Sequence, residues 1–469
     1  MSEFKTTNGA LQFEPTDECL TLFSRIGSMR NASPNSIKKM FEEAFESNPE
    51  LATQISYWAR AAREGSGERS TFYTILDEIV KTSPDFVSDN AITLAELGYY
   101  KDLLRYFNIQ GVVSAFAHSI QQKDRLACKW APRKGENAKL LRDELGFTNK
   151  QYRVWLKENS ETVEQQLSSK KFEEINYSSV PGSAMRKYMR TFNTKDEERF
   201  KAWKEDKTTK ASVSATYPHE ILSVDDSALA DKMWDNLTDF MADSEENILP
   251  MIDVSGSMFG MPLAVAIGLG MYLSERNKGS FKNRYLTFSE SPALMRLRGD
   301  SVAERMGNIS KDDWGMSTNF EKAYQLILDL AIEFKVPQDK MPTMLLVLSD
   351  MQFDESQRSS YSVSSDSMPH YSHMEEEFEK AGYKFPKLVF WNLDGDVPVG
   401  QPVMTEQSGA AMVSGFSPKI MTAVLNAEEF NPMEVMMEAL KPIELDYTNL
   451  EDKLDIEYVE HEYSDEDLF

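Results

Sequence analysis

In the first half of the chain, apolar residues recur at three- and four-residue spacing. Residues 36–45, 49–63, 70–80 and 91–107 each carry such a stripe, joined by short polar turns with Pro, Gly, Ser or Asn. Few strand signals intervene. Successive amphipathic helices without strands predict an all-α module of stacked helix pairs, HEAT-like in kind, with no clean fixed-period repeat. Past residue 245 the pattern changes. Short apolar runs at 248–252, 285–288, 344–348, 387–391 and 411–414 predict buried strands, and helical stripes at 262–276, 320–334, 372–381 and 418–427 alternate with them. That alternation predicts a doubly wound parallel sheet. The expected fold class is therefore α plus α/β: a helical-repeat module over 1–245, an α/β domain over 246–430 and an acidic C-terminal segment over 431–469.

Composition narrows the setting. The 469 residues suffice for two or three domains with substantial cores, and the hydrophobic fraction of 41% is ordinary. No run of eighteen or more apolar residues occurs, so no membrane span is expected, and the N-terminus lacks a charged-then-apolar signal. Cys19 and Cys128 are far apart, which fits a reducing cytoplasm and argues against a disulfide scaffold or a cysteine zinc site.

The net charge of −25 repels phosphate when taken as a sum. Its distribution is polarised. Residues 123–210 hold 21 Lys and Arg against 14 Asp and Glu, an excess of 7, whereas residues 428–469 hold 15 acids and two lysines. Two basic clusters stand out among aromatic and apolar neighbours, Lys129, Arg133 and Lys134, then Arg186, Lys187 and Arg190. If they share a surface they make an electrostatic groove for a phosphate backbone; the alternative is a solvated helix surface interleaved with acids.

The sharpest chemistry follows the first expected strand. Asp253-Val254-Ser255-Gly256-Ser257 puts three oxygen-bearing side chains at alternating positions past a buried strand. Thr318 opens the stripe at 320–334, and Asp350 ends the run 344–348. In an open parallel sheet, ligand groups gather outside the carboxyl ends of the strands. An all-oxygen set of Asp253, Ser255, Ser257, Thr318 and Asp350 suits Mg²⁺ or Mn²⁺ better than zinc. The serine-rich stretch 356–367 reads as a mobile loop near that site.

Other candidates are weaker. His370 and His373 sit three apart with no third ligand plainly beside them and read as a surface pair. His219, after Pro218, reads as a packed residue at a helix start. No nucleophile pairs with a base, Ser257 does not stand in Gly-x-Ser-x-Gly order, and the phosphate-loop pattern is absent. No catalytic residue is expected.

Two family resemblances rest on these residues. Asp253-x-Ser255-x-Ser257, Thr318 and Asp350 resemble the metal-ion-dependent adhesion site of von Willebrand factor A domains. That likeness implies a cation held by the five residues and completed by an acidic group of a protein partner. Arg60-Ala61-Ala62-Arg63-Glu64-Gly65-Ser66-Gly67-Glu68-Arg69 resembles a junction of TROVE modules, the helical rings of the Ro autoantigen family. Leu97 to Leu104, Lys129 to Lys134, Val180 to Met185 and Tyr217 to Ile221 are similar to further stretches of it. In wording the chain is most similar to a TROVE-plus-von-Willebrand family of plants and large phages. The TROVE likeness implies binding of structured or non-coding RNA, in a ribonucleoprotein, and the overall acidity departs from that pattern.

The combined expectation is a cytoplasmic, non-enzymatic RNA-binding protein with a Mg²⁺-dependent protein-interaction site. The alternative is a metal-dependent protein-interaction scaffold with no RNA role. A metal-dependent phosphoryl-transfer enzyme would have the ion but lacks an evident second metal or base.

Overall fold

A computed structural model describes residues 4–5, 11–12, 17–288, 292–309, 320–351, 369–394, 409–427, 430–456 and 458. A short antiparallel pair, β1 (Phe4–Lys5) and β2 (Leu11–Gln12), precedes a helical region that runs to residue 235.

Local sequence sets the helix starts. Asp17 caps Glu18–Ile26, its carboxylate accepting from the Leu20 amide at 2.6 Å, and Ser33 and Asn48 cap Pro34–Ser47 and Pro49–Arg60, each with proline at the first turn. Their apolar stripes bury Phe23, Phe41, Phe45, Tyr57 and Trp58 against one another and against Phe72 of Ser70–Thr82. The stripe at 91–107 is not one helix. It breaks at Gly98 into Ala91–Leu97 and Tyr100–Leu103, because the backbone there closes on a buried ion pair. A Cβ at Gly98 would lie 2.5 Å from Asp102 Oδ2 and 2.9 Å from Arg60 Cζ.

The second half carries a six-stranded sheet. Its strands are β3 (Ile248–Asp253), β4 (Arg284–Phe288), β5 (Leu294–Arg296), β6 (Met344–Ser349), β7 (Lys387–Asn392) and β8 (Ala410–Ser414), in the spatial order β5-β4-β3-β6-β7-β8. The five strands expected from the sequence are parallel. β5 is a sixth, pairing antiparallel with β4 at the edge, so the sheet is mixed rather than wholly parallel. Three half-exposed residues give too short an alternation to announce a strand.

Both faces are covered. Leu249, Met251, Leu345, Val347, Leu388 and Phe390 pack under Phe320–Glu333 and Pro369–Lys380. Ile252 and Leu348 meet Met261–Arg276, and together with Leu346, Val389 and Trp391 they belong to a core that continues without a break into the helical half. Polar contacts stitch the same seam. Ser414 Oγ at the end of β8 donates to Phe23 O at 2.8 Å and accepts from the Gly27 amide at 3.0 Å. Gly415, at φ +116°, turns the chain away where a Cβ would lie 2.7 Å from Ser66 Oγ.

The chain then returns to its own beginning. Pro432–Leu440 packs on β8, Glu18–Ile26 and Pro49–Arg60. The following segment lies along the first helices: Asn90 exchanges two 2.8 Å hydrogen bonds with the Asp446 backbone, Tyr447 stacks on Phe86, and the Glu451 amide donates to Ser83 Oγ. No described helix is long and apolar enough to cross a membrane.

Candidate functional site

The strand order fixes where a ligand can enter. From β3 the chain moves outward to β4 and β5, then returns to place β6 on the opposite side of β3. The crevice beyond the carboxyl ends of β3 and β6 is thus the point where the order reverses, the usual ligand position in open α/β sheets. Asp253 is the last residue of β3, and Asp350 follows the last residue of β6.

Both carboxylates are buried, Asp253 at 0% and Asp350 at 1% exposure. Asp253 Oδ2 accepts from Ser349 Oγ at 2.6 Å, and Oδ1 accepts from the Ser255 amide at 2.9 Å. Burial, and then the Asp350 carboxylate, push the Asp253 carboxyl up to about 7, against the lowering effect of its hydrogen bonds with Ser349 and Ser255. Ser255 and Ser257 bring their hydroxyls within 3.0 Å of one another in the exposed turn that follows. Four of the five expected oxygen ligands therefore sit around one strand-end crevice. Thr318, and the serine-rich stretch 356–367, lie outside the described residues.

Ser349 stands outside the five expected ligands yet is bonded to one of them. Its hydroxyl holds Asp253 and accepts from the Met351 amide at 3.1 Å, and Met351 turns the chain at φ +63°, a left-handed conformation that costs a non-glycine residue about 1–2 kcal/mol. A serine directly before Asp350 at the end of an apolar run was the available signal. Beside the serine turn, Phe259 is 86% exposed and Met261 is also exposed.

The donor chemistry fits a hard divalent cation. Two buried like charges, with neutral groups bonded to Asp253, are an arrangement that a bound cation relieves. Among the described residues no three His, Cys, Asp or Glu side chains gather as a metal set, so this centre would depend on hydroxyl oxygens. His373 is exposed, as a surface residue should be; nothing is described of the His370 side chain. Cys19 and Cys128 are buried free thiols.

The basic candidates stand differently. Lys129 lies 3.6 Å from Glu164, Arg133 in the turn after Arg125–Trp130 donates to the carbonyls of Lys129 and Ala131, and Lys134 is exposed. On Gly182–Lys195, Arg186 pairs with Glu220, Arg190 lies 3.6 Å from Asp225, and the Lys187 ammonium sits 5.0 Å from the Tyr188 ring centre. The junction 65–69 is part of the seam: Ser66 O accepts from Tyr217 OH, Glu68 pairs with Arg30, and Arg69 approaches Asp102. His219 packs at the start of Pro218–Leu222 between Tyr217 and Phe416.

Comparison with known proteins divides the chain in a similar way. Residues 230–460 match a domain of unknown function, DUF7788, and residues 6–112 and 106–248 match a second, DUF2828. An uncharacterised protein of Acanthamoeba polyphaga mimivirus is 27% identical over 506 residues, spanning 93% of this chain and 87% of its own length. With residues 6–248, more than half of its length, matched in this way, the chain belongs to the DUF2828 family.

Proposed function

We propose that the protein is a non-enzymatic, divalent-cation-dependent interaction protein, with a von Willebrand A-like sheet domain joined to a TROVE-like, HEAT-like helical module. Asp253, Ser255, Ser257, Thr318 and Asp350 hold Mg²⁺ or Mn²⁺, and an acidic side chain of a protein partner completes the shell. The observation that carries this reading is the buried pair of carboxylates at the reversal of strand order, with Asp253 bonded, among the described residues, to neutral groups. The exposed ring of Phe259 beside the serine turn supports a protein surface there, since a large apolar side chain so fully open to water is a natural anchor for a partner.

Calorimetry with Mn²⁺ tests the centre. Asp253→Ala and Asp350→Ala should abolish the binding heat while unfolding stays cooperative, and unchanged affinity in both variants refutes the site. Partner capture should need the cation and should disappear with Thr318→Ala; capture that survives a chelator rules out the adhesion-type role.

A second reading, RNA binding through the helical module, is favoured by one observation: Arg186, Lys187 and Arg190 line a common cavity. It ranks below the first because Lys129, Arg186 and Arg190 already have carboxylate neighbours. A combined Lys129, Arg133, Lys134, Arg186, Lys187 and Arg190 to Ala variant should lose RNA affinity and flatten its salt dependence. Absence of structured-RNA binding by the intact protein in low salt removes this reading and leaves the interaction scaffold.

A further inference from the structure

The cavity beside Gly182–Lys195 has a more specific chemistry than a basic patch. Its volume is about 340 Å³, and it opens between that helix and the turn after Pro218–Leu222. Arg186 and Arg190 stand one helical turn apart, on one face, with Lys187 beside them. Across the cavity lie Ser223 and Asp225, and Met189 and Val224 supply apolar wall.

The cations are incompletely matched by their own acids. Arg186 is held by Glu220 through both terminal nitrogens of its guanidinium, and its Nε is buried. Arg190 is 88% exposed, and its carboxylate neighbour among the described residues, Asp225, is 78% exposed at 3.6 Å, a loose solvent-screened pair that a stronger anion can displace. Among the described residues these three cations face two carboxylates, Glu220 and the exposed Asp225. Ser223 Oγ donates to Glu220 O at 2.8 Å, which leaves its lone pairs to accept from a ligand.

We propose that this cavity binds a phosphate monoester of nucleoside monophosphate size. A dianionic phosphate offers three terminal oxygens and enough charge to displace Asp225 from Arg190, and guanidinium groups match its geometry. A volume near 340 Å³ lies at the small end of ligand cavities, suited to one nucleotide rather than a helix, with Met189 and Val224 against the nucleoside. The same group is presented by a free mononucleotide and by the phosphorylated 5′ end of an RNA strand. The proposal is independent of the cation centre. It narrows the RNA reading from a backbone laid along a surface to a single terminal phosphate.

The test titrates the full chain with AMP, adenosine, inorganic phosphate, and short oligoadenylates with a 5′-phosphate or a 5′-hydroxyl. AMP should bind, adenosine and inorganic phosphate should each bind at least about tenfold more weakly, and Arg190→Glu should weaken AMP by a similar factor. Arg190 is a surface residue, so an unchanged urea midpoint certifies the variant, and Lys187→Ala gives an independent second variant. Preference for the 5′-phosphorylated strand over the 5′-hydroxyl strand supports the proposal with a chain end as ligand; binding of AMP alone supports it with a free nucleotide. Equal binding of the two oligonucleotides leaves the RNA reading standing and overturns this proposal. So does absence of AMP binding, inorganic phosphate binding as tightly as AMP, or AMP affinity indifferent to both variants.

Discussion

Asp102 and Asp253 are both removed from water, and the protein treats them in opposite ways. Asp102 lies in the helical half against the equally buried Arg60, and it also accepts from Tyr73 OH at 2.6 Å and from the Tyr99 amide at 3.1 Å. Its counter-charge is built into the fold. Asp253, at the sheet end, has serine and amide donors and a second carboxylate for a neighbour, and its carboxyl is pushed up to about 7. A carboxylate paired in this way is structural. One held beside a like charge in a crevice destabilises the cation-free fold, which is the usual mark of a site kept for a ligand.

The largest expected effect separates the two acids. Asp102→Ala leaves Arg60 buried and uncompensated, and should lower the unfolding free energy in urea by about 3–5 kcal/mol. Asp253→Asn should leave the cation-free protein equally stable or more stable, because it removes the repulsion with Asp350. A large loss in Asp253→Asn would break the comparison, since Asp253 would then be structural as well.

Titration extends the comparison to a buried base. Burial, with Arg30 and Arg186 nearby, lowers His219 to about 4, so the folded protein holds it neutral while the unfolded chain protonates near 6.5. The stability this group contributes is full above pH 6.5, is lost as pH falls toward 4, and amounts to on the order of 3 kcal/mol. Asp253 acts in the reverse sense: its raised carboxyl makes the cation-free protein gain stability as pH falls from 7 toward 4. Unfolding curves between pH 4 and 7 in the Asp253→Asn background should therefore lose the Asp253 contribution, and adding His219→Phe should reduce the remaining rise of stability with pH.

Cation linkage comes next. Mn²⁺ at a hundred times its dissociation constant should stabilise the wild-type protein by about 2.7 kcal/mol, read as a rise in melting temperature, and should do nothing for Asp253→Asn. An effect of similar or smaller size belongs to the seam. Ser414→Ala leaves the buried Gly27 amide without its partner and should cost about 1–3 kcal/mol in the same urea assay, with Mn²⁺ affinity unchanged. A change in that affinity would show that the seam and the crevice are coupled.

Much of this molecule is written locally. The strands β3, β4, β6, β7 and β8 are legible because each is a short apolar run buried on both faces, and the first helices because capping residues and prolines precede regular stripes. The Asp-x-Ser-x-Ser turn was legible for the same reason, since its chemistry lies within five residues. β5 was not, at three residues, and neither was the break at Gly98, where an uninterrupted stripe is overruled by the Arg60–Asp102 pair. The basic clusters show the limit from the other side. Sequence counts their charges, but their neighbours Glu164, Glu220 and Asp225 stand 34 or more residues away and come within range only on folding.

By itself, then, the sequence determined most of the elements, the change from helical to alternating periodicity near residue 245, and, to within a residue, where the five expected strands end. Periodicity and capping act over a few residues and survive being read one segment at a time. Only the tertiary structure decided that Ser349 and Asp253, 96 residues apart, meet across β3 and β6, that the segment after Pro432–Leu440 lies along the first helices, and that helical and sheet halves share one core. Those outcomes depend on strand order and on which buried faces complement one another, and both are properties of the packed whole.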